Sequence, residues 1–174
     1  LAPEQADAVR AAVAGERPLV VLTGGPGTGK STVVKVLCDV ASALWPGWPL
    51  YLVAPTGLAA QNLAARTGRE AGTIHRLLEP QVEGGRIRFG RGPSNPLPQG
   101  LLVVDETSMV DLELAAALLG AVASGSRIVF VGDEEQLPAV GPGSVFSDLI
   151  RSEHAQVVRL QTVYRQAQDS PIVR

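Results

Sequence analysis

One short segment constrains the fold of this chain more than any other part: Gly24-Gly25-Pro26-Gly27-Thr28-Gly29-Lys30-Ser31. It matches the pattern G-x-x-x-x-G-K-[ST]; an apolar run at 19–22 precedes it and a helical pattern at 30–44 follows it. Glycines let backbone N–H groups curve around a phosphate without Cβ clashes, and a helix N-terminus adds partial positive charge. The segment therefore predicts a strand, a phosphate-binding loop and a helix. The alternative is a glycine-rich turn that matches by chance.

The side chains of this loop predict how a nucleotide is held. We expect Lys30 to reach the β- and γ-phosphates and the Ser31 hydroxyl to ligate Mg²⁺. The other residues expected to surround the phosphates are Gly25, Gly27, Thr28 and Gly29.

The rest of the chain alternates apolar runs with helical patterns. Predicted strands are 19–22, 50–54, 101–104, 127–131 and 156–160. Predicted helices are 30–44, 57–66, 112–122 and 144–151, with one or two helical turns at 73–78. This alternation predicts an α/β fold, a P-loop NTPase with a mostly parallel sheet flanked by helices.

Residues 80–99 break the alternation. Apolar Val82, Ile87 and Phe89 flank a Gly84-Gly85 turn, with polar residues between them. This pattern predicts a small inserted β-hairpin that projects from the main fold.

Composition narrows the class of protein. The chain has 174 residues, of which 45% are hydrophobic, so it suits one domain with a real core. No apolar run approaches the ~18 residues of a membrane span, so no membrane partner is expected. The single cysteine, Cys38, is expected to be a buried apolar residue; one cysteine fits a reducing compartment, and we predict a cytoplasmic protein. A net charge of −2 gives no global support to nucleic-acid binding.

Two acidic residues follow the predicted strand at 101–104. Asp105 and Glu106 would stand at the carboxyl end of that strand, the edge where ligands bind in open α/β sheets. We expect Asp105 to hold Mg²⁺, directly or through water, and Glu106 to act as general base toward the attacking water. The alternative is that these acids cap a following helix, as Asp111 could.

Three other residues could face the nucleotide. Gln136 follows another apolar strand and could bond a γ-phosphate, or it could be an ordinary polar loop residue. Arg165 could stabilise transition-state charge, or it could be a solvated surface residue. Gln5 could bond an adenine edge or face water.

Taken together, these motifs resemble the RecD-like DNA helicases of superfamily 1, class B. The resemblance runs through nearly the whole chain in order. The matching segments are Pro3-Glu4-Gln5 (Q motif), 24–32 (motif I), Ala54-Pro55-Thr56-Gly57 (Ia), Thr73-Ile74-His75-Arg76-Leu77-Leu78 (Ib), Asp105-Glu106-Thr107-Ser108-Met109 (II), 132–143 (III) and Tyr164-Arg165-Gln166 (IV).

For the nucleotide, the resemblance implies ATP with Mg²⁺ as cofactors. Gln136 would be a γ-phosphate sensor linked to the DNA path, Arg165 an arginine finger, and Gln5 the reader of adenine. It also places Thr32 among the nucleotide-binding residues and Tyr164 near the adenine.

For nucleic acid, the resemblance implies single-stranded DNA and the junction with duplex as partners. Pro55, Thr56, Thr73 and His75 would contact the strand's backbone; for His75 the alternative is helix packing or capping. The 80–99 hairpin would be the family's 1B pin, which splits the duplex. Its arginines, Arg86, Arg88 and Arg91, would then lie near phosphates, unless the hairpin is merely solvated.

The domain organisation follows from the same resemblance. Residues 1–174 would be domain 1A with its 1B insertion, cut from a longer protein, since the motifs of a second RecA-like domain are absent. The expected function is that of an ATP-dependent helicase motor moving 5′-to-3′ in DNA repair or recombination. We expect the isolated chain to bind nucleotide, to hydrolyse it poorly and not to unwind DNA. Two rivals remain: an AAA+ ATPase, and a DNA-binding module switched by nucleotide without turnover.

Overall fold

A computed structural model describes residues 1–136 and 143–164, apart from the side chains of Glu83 and Arg86. The helices are α1 (Pro3–Ala14), α2 (Lys30–Leu44), α3 (Gly57–Thr67), α4 (Ile74–Leu77), α5 (Leu112–Ala121) and α6 (Val145–Arg151). The strands are β1 (Leu19–Gly24), β2 (Leu50–Ala54), β3 (Gly72–Thr73), β4 (Pro80–Glu83), β5 (Arg86–Phe89), β6 (Leu101–Val104), β7 (Arg127–Gly132) and β8 (Gln156–Leu160). A 3₁₀ turn spans Thr107–Met109.

Six strands form one sheet in the order β3-β2-β6-β7-β1-β8, and every neighbouring pair is parallel. The predicted α/β fold with a mostly parallel sheet is therefore confirmed. Because all six strands run the same way, their carboxyl ends meet at one edge. The loop after β1 and the acidic pair after β6 both open at that edge, with β7 lying between the two strands.

Alternating strand residues divide the core between the two faces of the sheet. Val20 and Leu22 point into a cluster with α1, α2 and α3, whereas Val21 points into a cluster with α4, α5 and α6. Strands that are buried on both faces are continuous apolar runs rather than alternating ones. These strands could therefore be predicted from the sequence. Cys38 lies in the first cluster, as expected, and burial raises the pKa of its thiol to about 11.

Two elements escaped the sequence analysis. The helix α1 buries mainly small residues, including Ala8, Ala11 and Ala12, so its apolar periodicity is weak. Strand β3 has only two residues, Gly72 and Thr73, too few to show any period. Both follow from tertiary packing rather than from local pattern.

The predicted hairpin is present as an antiparallel pair, β4 with β5, joined by Gly84 and Gly85. It is shorter than the expected 80–99 segment. Leu97 is buried in the main body and its N–H donates to the carbonyl of Ala121, at 2.7 Å. The second half of the segment therefore returns to the core instead of projecting. In the part of the chain that the structure describes, no helix is long and apolar enough to cross a membrane.

Candidate nucleotide site

The loop between β1 and α2 has the backbone of a phosphate cradle. Gly27 and Gly29 have φ values of 81° and 87°, a region that favours glycine. Thr28 Oγ1 donates to the Gly25 carbonyl at 2.8 Å, which closes the loop on itself. Lys30 Nζ donates to the carbonyls of Gly24 and, at 3.1 Å, of Gly25. The lysine ammonium therefore lies over the loop, where phosphate oxygens would meet it.

Gln5 fastens α1 to this loop. Its Nε2 donates to the Thr28 carbonyl at 3.2 Å, and its Oε1 accepts from the Ala2 N–H at 3.1 Å. The side chain is only 7% exposed, so the water-facing alternative is wrong. An amide has a second hydrogen and a second lone pair, so the predicted adenine contact stays a prediction.

The acidic pair stands at the end of β6, as the strand pattern predicted. Glu106 has φ 52°, a left-handed conformation that costs a non-glycine residue roughly 1–3 kcal/mol. Its N–H donates to Asp105 Oδ1 at 3.0 Å, and the Thr107 hydroxyl donates to the Val104 carbonyl at 3.0 Å. Asp111 caps α5 by accepting the Leu114 N–H at 2.8 Å. Since Asp111 supplies that cap, the helix-capping alternative for Asp105 and Glu106 is wrong.

Both carboxyl groups have raised pKa values. Burial is the largest cause for each, and repulsion from Asp105 further raises the pKa of Glu106. The positive charges of Lys30 and Arg66 act in the opposite direction on both groups. A glutamate with a raised pKa is a better proton acceptor near neutral pH. These interactions also place Lys30 and the acidic pair within each other's electrostatic reach.

The donor set suits Mg²⁺. The Ser31 hydroxyl and the Asp105 carboxylate are hard oxygen ligands, and Mg²⁺ commonly takes one or two such protein ligands with waters and phosphates. No group of three or more acidic, histidine or cysteine side chains forms a metal cage among the described residues.

Arg66 was missed by the sequence analysis. Its Nη1 donates to Ser31 Oγ at 3.2 Å, from the last turn of α3. No motif includes it, and its spacing from the loop carries no signal, because only the packing of α3 on α2 brings the two residues together.

Gln136 is joined to the acidic loop. The Ser108 hydroxyl donates to Gln136 Oε1 at 3.2 Å, and the Gln136 N–H donates to the Asp133 carbonyl at 3.2 Å. Ser108 lies two residues beyond Glu106, so this bond connects the loops after β6 and β7. Gln136 is thus more than an unattached polar loop residue.

The segment after β8 lies against the loop. The Tyr164 N–H donates to the Gly27 carbonyl at 2.9 Å, and Glu4 accepts the N–H groups of Gln161 (3.0 Å) and Thr162 (2.9 Å). A cavity of about 920 Å³ opens between the loop, the end of β7 and this segment. Tyr164 is therefore tethered by its backbone beside the phosphate loop. Arg165 lies outside the described residues.

The predicted DNA contacts gather at the same sheet edge. Ala54 of β2 pairs with Thr73 of β3, so Pro55 and Thr56 leave the sheet beside Thr73. The Thr56 and Thr73 hydroxyls cap α3 and α4 by accepting from Ala59 (3.2 Å) and Arg76 (3.1 Å). A hydroxyl that accepts can still donate.

His75 and the arginines complete that region. The exposed His75 ring lies 5.9 Å from the Phe89 ring, at the base of the hairpin. Arg86 and Arg88 belong to β5, and Arg88 is exposed. Arg91 is held by Glu79, with Nε and Nη2 at 2.9 and 2.8 Å from Oε1. Arg91 is thus paired with Glu79 within the protein.

A glycine loop that cradles phosphate and a carboxylate pair two strands away, with another strand between, define a P-loop NTPase. Comparison with known proteins narrows the class. The chain belongs to the family described as AAA domain, whose model matches residues 1–173.

Its relatives are helicases of the type that the motifs resemble. The ATP-dependent RecD2 DNA helicase of Deinococcus radiodurans is 46% identical over 174 residues, which cover 100% of this chain and 23% of that protein. The RecBCD enzyme subunit RecD of Mycolicibacterium smegmatis is 41% identical over 177 residues, covering 89% of this chain and 32% of that protein. The resemblance to RecD-like helicases is confirmed. The chain thus spans only 23% and 32% of the lengths of these two relatives.

A solved structure shares the fold. The crystal structure of Bacteroides Pif1 bound to ssDNA matches with a TM-score of 0.60 and 23% identity, over 97% of this chain and 43% of that one.

Proposed function

We propose that this chain is the first motor domain, 1A with the β4–β5 hairpin of the 80–99 segment as its 1B pin, of an ATP-dependent DNA helicase. The helicase moves 5′-to-3′ on single-stranded DNA in repair or recombination, in the cytoplasm. One observation carries the proposal: the loop, the acidic pair and three of the predicted DNA contacts (Pro55, Thr56 and Thr73) follow or end strands of one parallel sheet at the same edge. The names of the relatives, an ATP-dependent DNA helicase and a RecBCD subunit, point the same way.

In this proposal the loop binds the phosphates of ATP. Backbone N–H groups of Gly25, Gly27, Thr28 and Gly29 surround the phosphate oxygens. Lys30 exchanges its loop carbonyls for the β- and γ-phosphates. Ser31 and Asp105 hold Mg²⁺, which neutralises charge on the phosphates when bound. Thr32 and Gln5 complete the nucleotide contacts.

Glu106 performs the proton chemistry. A water attacks the γ-phosphorus, its proton passes to the Glu106 carboxylate, and the bond to the β–γ bridging oxygen breaks to release ADP. Glu106 has the left-handed backbone that is often found at functional sites, and in this proposal its carboxylate faces that water. Arg165 supplies positive charge to the γ-phosphate, and Tyr164 stacks near the adenine.

Gln136 senses the γ-phosphate and links the presence of ATP to the DNA-binding surface. Its bond with Ser108 ties the loop that holds Glu106 to the loop after β7. Pro55, Thr56, Thr73 and His75 form the strand-binding surface, and Arg86 and Arg88 contact phosphates near the junction. A second RecA-like domain of the same protein closes on this edge in each cycle.

The test is ATP hydrolysis by the full-length protein, with and without single-stranded DNA, beside Lys30→Ala. We expect strong stimulation by DNA that disappears in the variant. Turnover that does not depend on DNA would instead favour an AAA+ ATPase. Binding of ATP and DNA without turnover would favour a nucleotide-switched module and would remove the role given to Glu106.

The domain assignment has its own test. The 174-residue chain alone should bind a fluorescent ADP analogue yet fail to separate a DNA fork, because the step needs two domains closing around ATP. Robust unwinding by the isolated chain would contradict the assignment.

A further inference from the structure

Arg66 occupies a position that the proposed mechanism does not use. Its Nη1 donates to Ser31 Oγ at 3.2 Å, although the two residues are 35 positions apart. Ser31 is the hydroxyl expected to ligate Mg²⁺. An arginine is a permanent cation, so this bond puts a fixed positive charge beside a metal ligand.

The charge of Arg66 also reaches the acidic pair. It is among the causes that lower the pKa values of Asp105 and Glu106, against the larger effect of burial. Lys30, the other cation here, is bonded to the carbonyls of its own loop. Arg66 therefore contacts the serine and lies within electrostatic reach of the carboxylates.

The last turn of α3 is well anchored. Leu63 is buried, the Thr67 hydroxyl donates to the Leu63 carbonyl at 2.8 Å, and Gly68 ends the helix in a left-handed conformation. These contacts fix the backbone from which the exposed Arg66 side chain reaches Ser31. The contact between Arg66 and Ser31 therefore follows from the position of α3 beside α2.

We propose that Arg66 is a positioning residue that competes with Mg²⁺ for the Ser31 hydroxyl and so sets the metal concentration at which nucleotide binds. Two positive groups cannot share one hydroxyl oxygen without repulsion. The guanidinium would have to leave the Ser31 hydroxyl for that oxygen to ligate Mg²⁺. This inference rests on the proposed function, because it requires Mg²⁺-nucleotide binding at the loop.

The experiment titrates Mg²⁺ against binding of fluorescent ADP to the full-length protein. We expect Arg66→Ala to lower the half-saturating Mg²⁺ concentration about three- to tenfold, as expected for removing one charge near a divalent cation in a solvated site. Arg66→Lys keeps the charge and should stay near the wild-type value. Arg66→Gln keeps a donor but loses the charge, and should follow Arg66→Ala.

Arg69→Ala is the matched control. Arg69 lies three residues away and pairs with Asp39, at 2.8 Å, instead of Ser31. Its removal should leave the Mg²⁺ titration unchanged.

Two results would overturn the inference. Either an unchanged Mg²⁺ requirement in Arg66→Ala, or a higher one, would show that the guanidinium does not compete with the metal. If the wild-type protein binds no ADP at any Mg²⁺ concentration, the proposed function fails together with the inference. If the wild-type protein binds ADP and only the Arg66→Ala result is contrary, the inference alone fails.

Discussion

The nucleotide edge and the hairpin differ in how the protein holds them. At the nucleotide edge, the polar residues Gln5, Thr107 and Asp133 are 7%, 0% and 5% exposed. The side chain of each forms a hydrogen bond with a backbone group. At the hairpin, apolar Val82 and Ile87 are 77% and 65% exposed. The polar side chains of the nucleotide edge are therefore held in place by burial and hydrogen bonds, whereas the apolar side chains of the hairpin are exposed to solvent.

The hairpin joins the main body at its base, where Phe89 packs against the core and the Arg91 N–H donates to the Leu78 carbonyl at 3.1 Å. Its base is closed by the Gly90 N–H on the Glu79 carbonyl, at 2.9 Å, and by the Arg91–Glu79 ion pair. Exposed ion pairs contribute little to stability. Changes at the nucleotide edge should therefore alter chemistry and folding, while changes at the hairpin tip should alter only what the tip contacts.

The largest expected effect is at Glu106. Glu106→Gln keeps the size of the side chain but cannot accept the proton from water, so ATP hydrolysis should fall by roughly 10²–10⁴-fold. Binding of fluorescent ADP should change little. Rapid hydrolysis by the variant would show that another group is the base.

A glycine substitution tests the rigidity of the loop. At Gly29 the φ of 87° disfavours any side chain, and a Cβ would stand 2.3 Å from Gln5 Nε2. Gly29→Ala should destabilise the fold by about 1–3 kcal/mol, measured by thermal melting.

Gly25→Ala is its control for stability, since a Cβ there meets nothing within 4 Å. Equal melting temperatures of the two variants would contradict the close contact between α1 and the loop.

The pH dependence reports the environment of Glu106. Burial and the neighbouring Asp105 raise its pKa, so the carboxylate is protonated, and the base lost, at a higher pH than for an ordinary glutamate. The acid limb of kcat/KM for ATP should therefore lie above the ordinary glutamate range. A kcat/KM that stays constant from neutral pH down to the ordinary glutamate range would contradict the assignment of Glu106 as the base.

A smaller effect is expected at Ser108. Ser108→Ala removes the bond to Gln136, worth about 0.5–1.5 kcal/mol, so DNA-stimulated hydrolysis should fall roughly two- to tenfold. Hydrolysis without DNA should fall less, because the bond serves the link to DNA. A uniform loss would mean that Ser108 only supports the acidic loop.

The smallest effect on the nucleotide edge should come from the hairpin. Val82→Ser with Ile87→Ser should shift stability by no more than about 0.5 kcal/mol and leave ATP hydrolysis intact, while fork unwinding falls. Leu44→Ser is a matched control, 55% exposed at the far end of α2. A loss of ATP hydrolysis in the double variant would contradict the separation of the two regions.

Sequence predicted the nucleotide edge better than its surroundings because short segments determine it. Asp105 directly follows the buried strand β6, and Lys30 stands at the end of the loop that leaves β1, so the parallel sheet alone brings them to one edge. The contact between Arg66 and Ser31 could not be predicted from the sequence, because it depends on how α3 packs against α2. The tether of Gln5 to Thr28 was missed for the same reason, as it joins residues 23 positions apart.

The most direct test of the account is unwinding of partial duplexes by the full-length protein with ATP, comparing a single-stranded 5′ tail with a 3′ tail. The account predicts strand separation from the 5′ tail, lost in Lys30→Ala. Separation from the 3′ tail alone, or equal separation in Lys30→Ala, would contradict it.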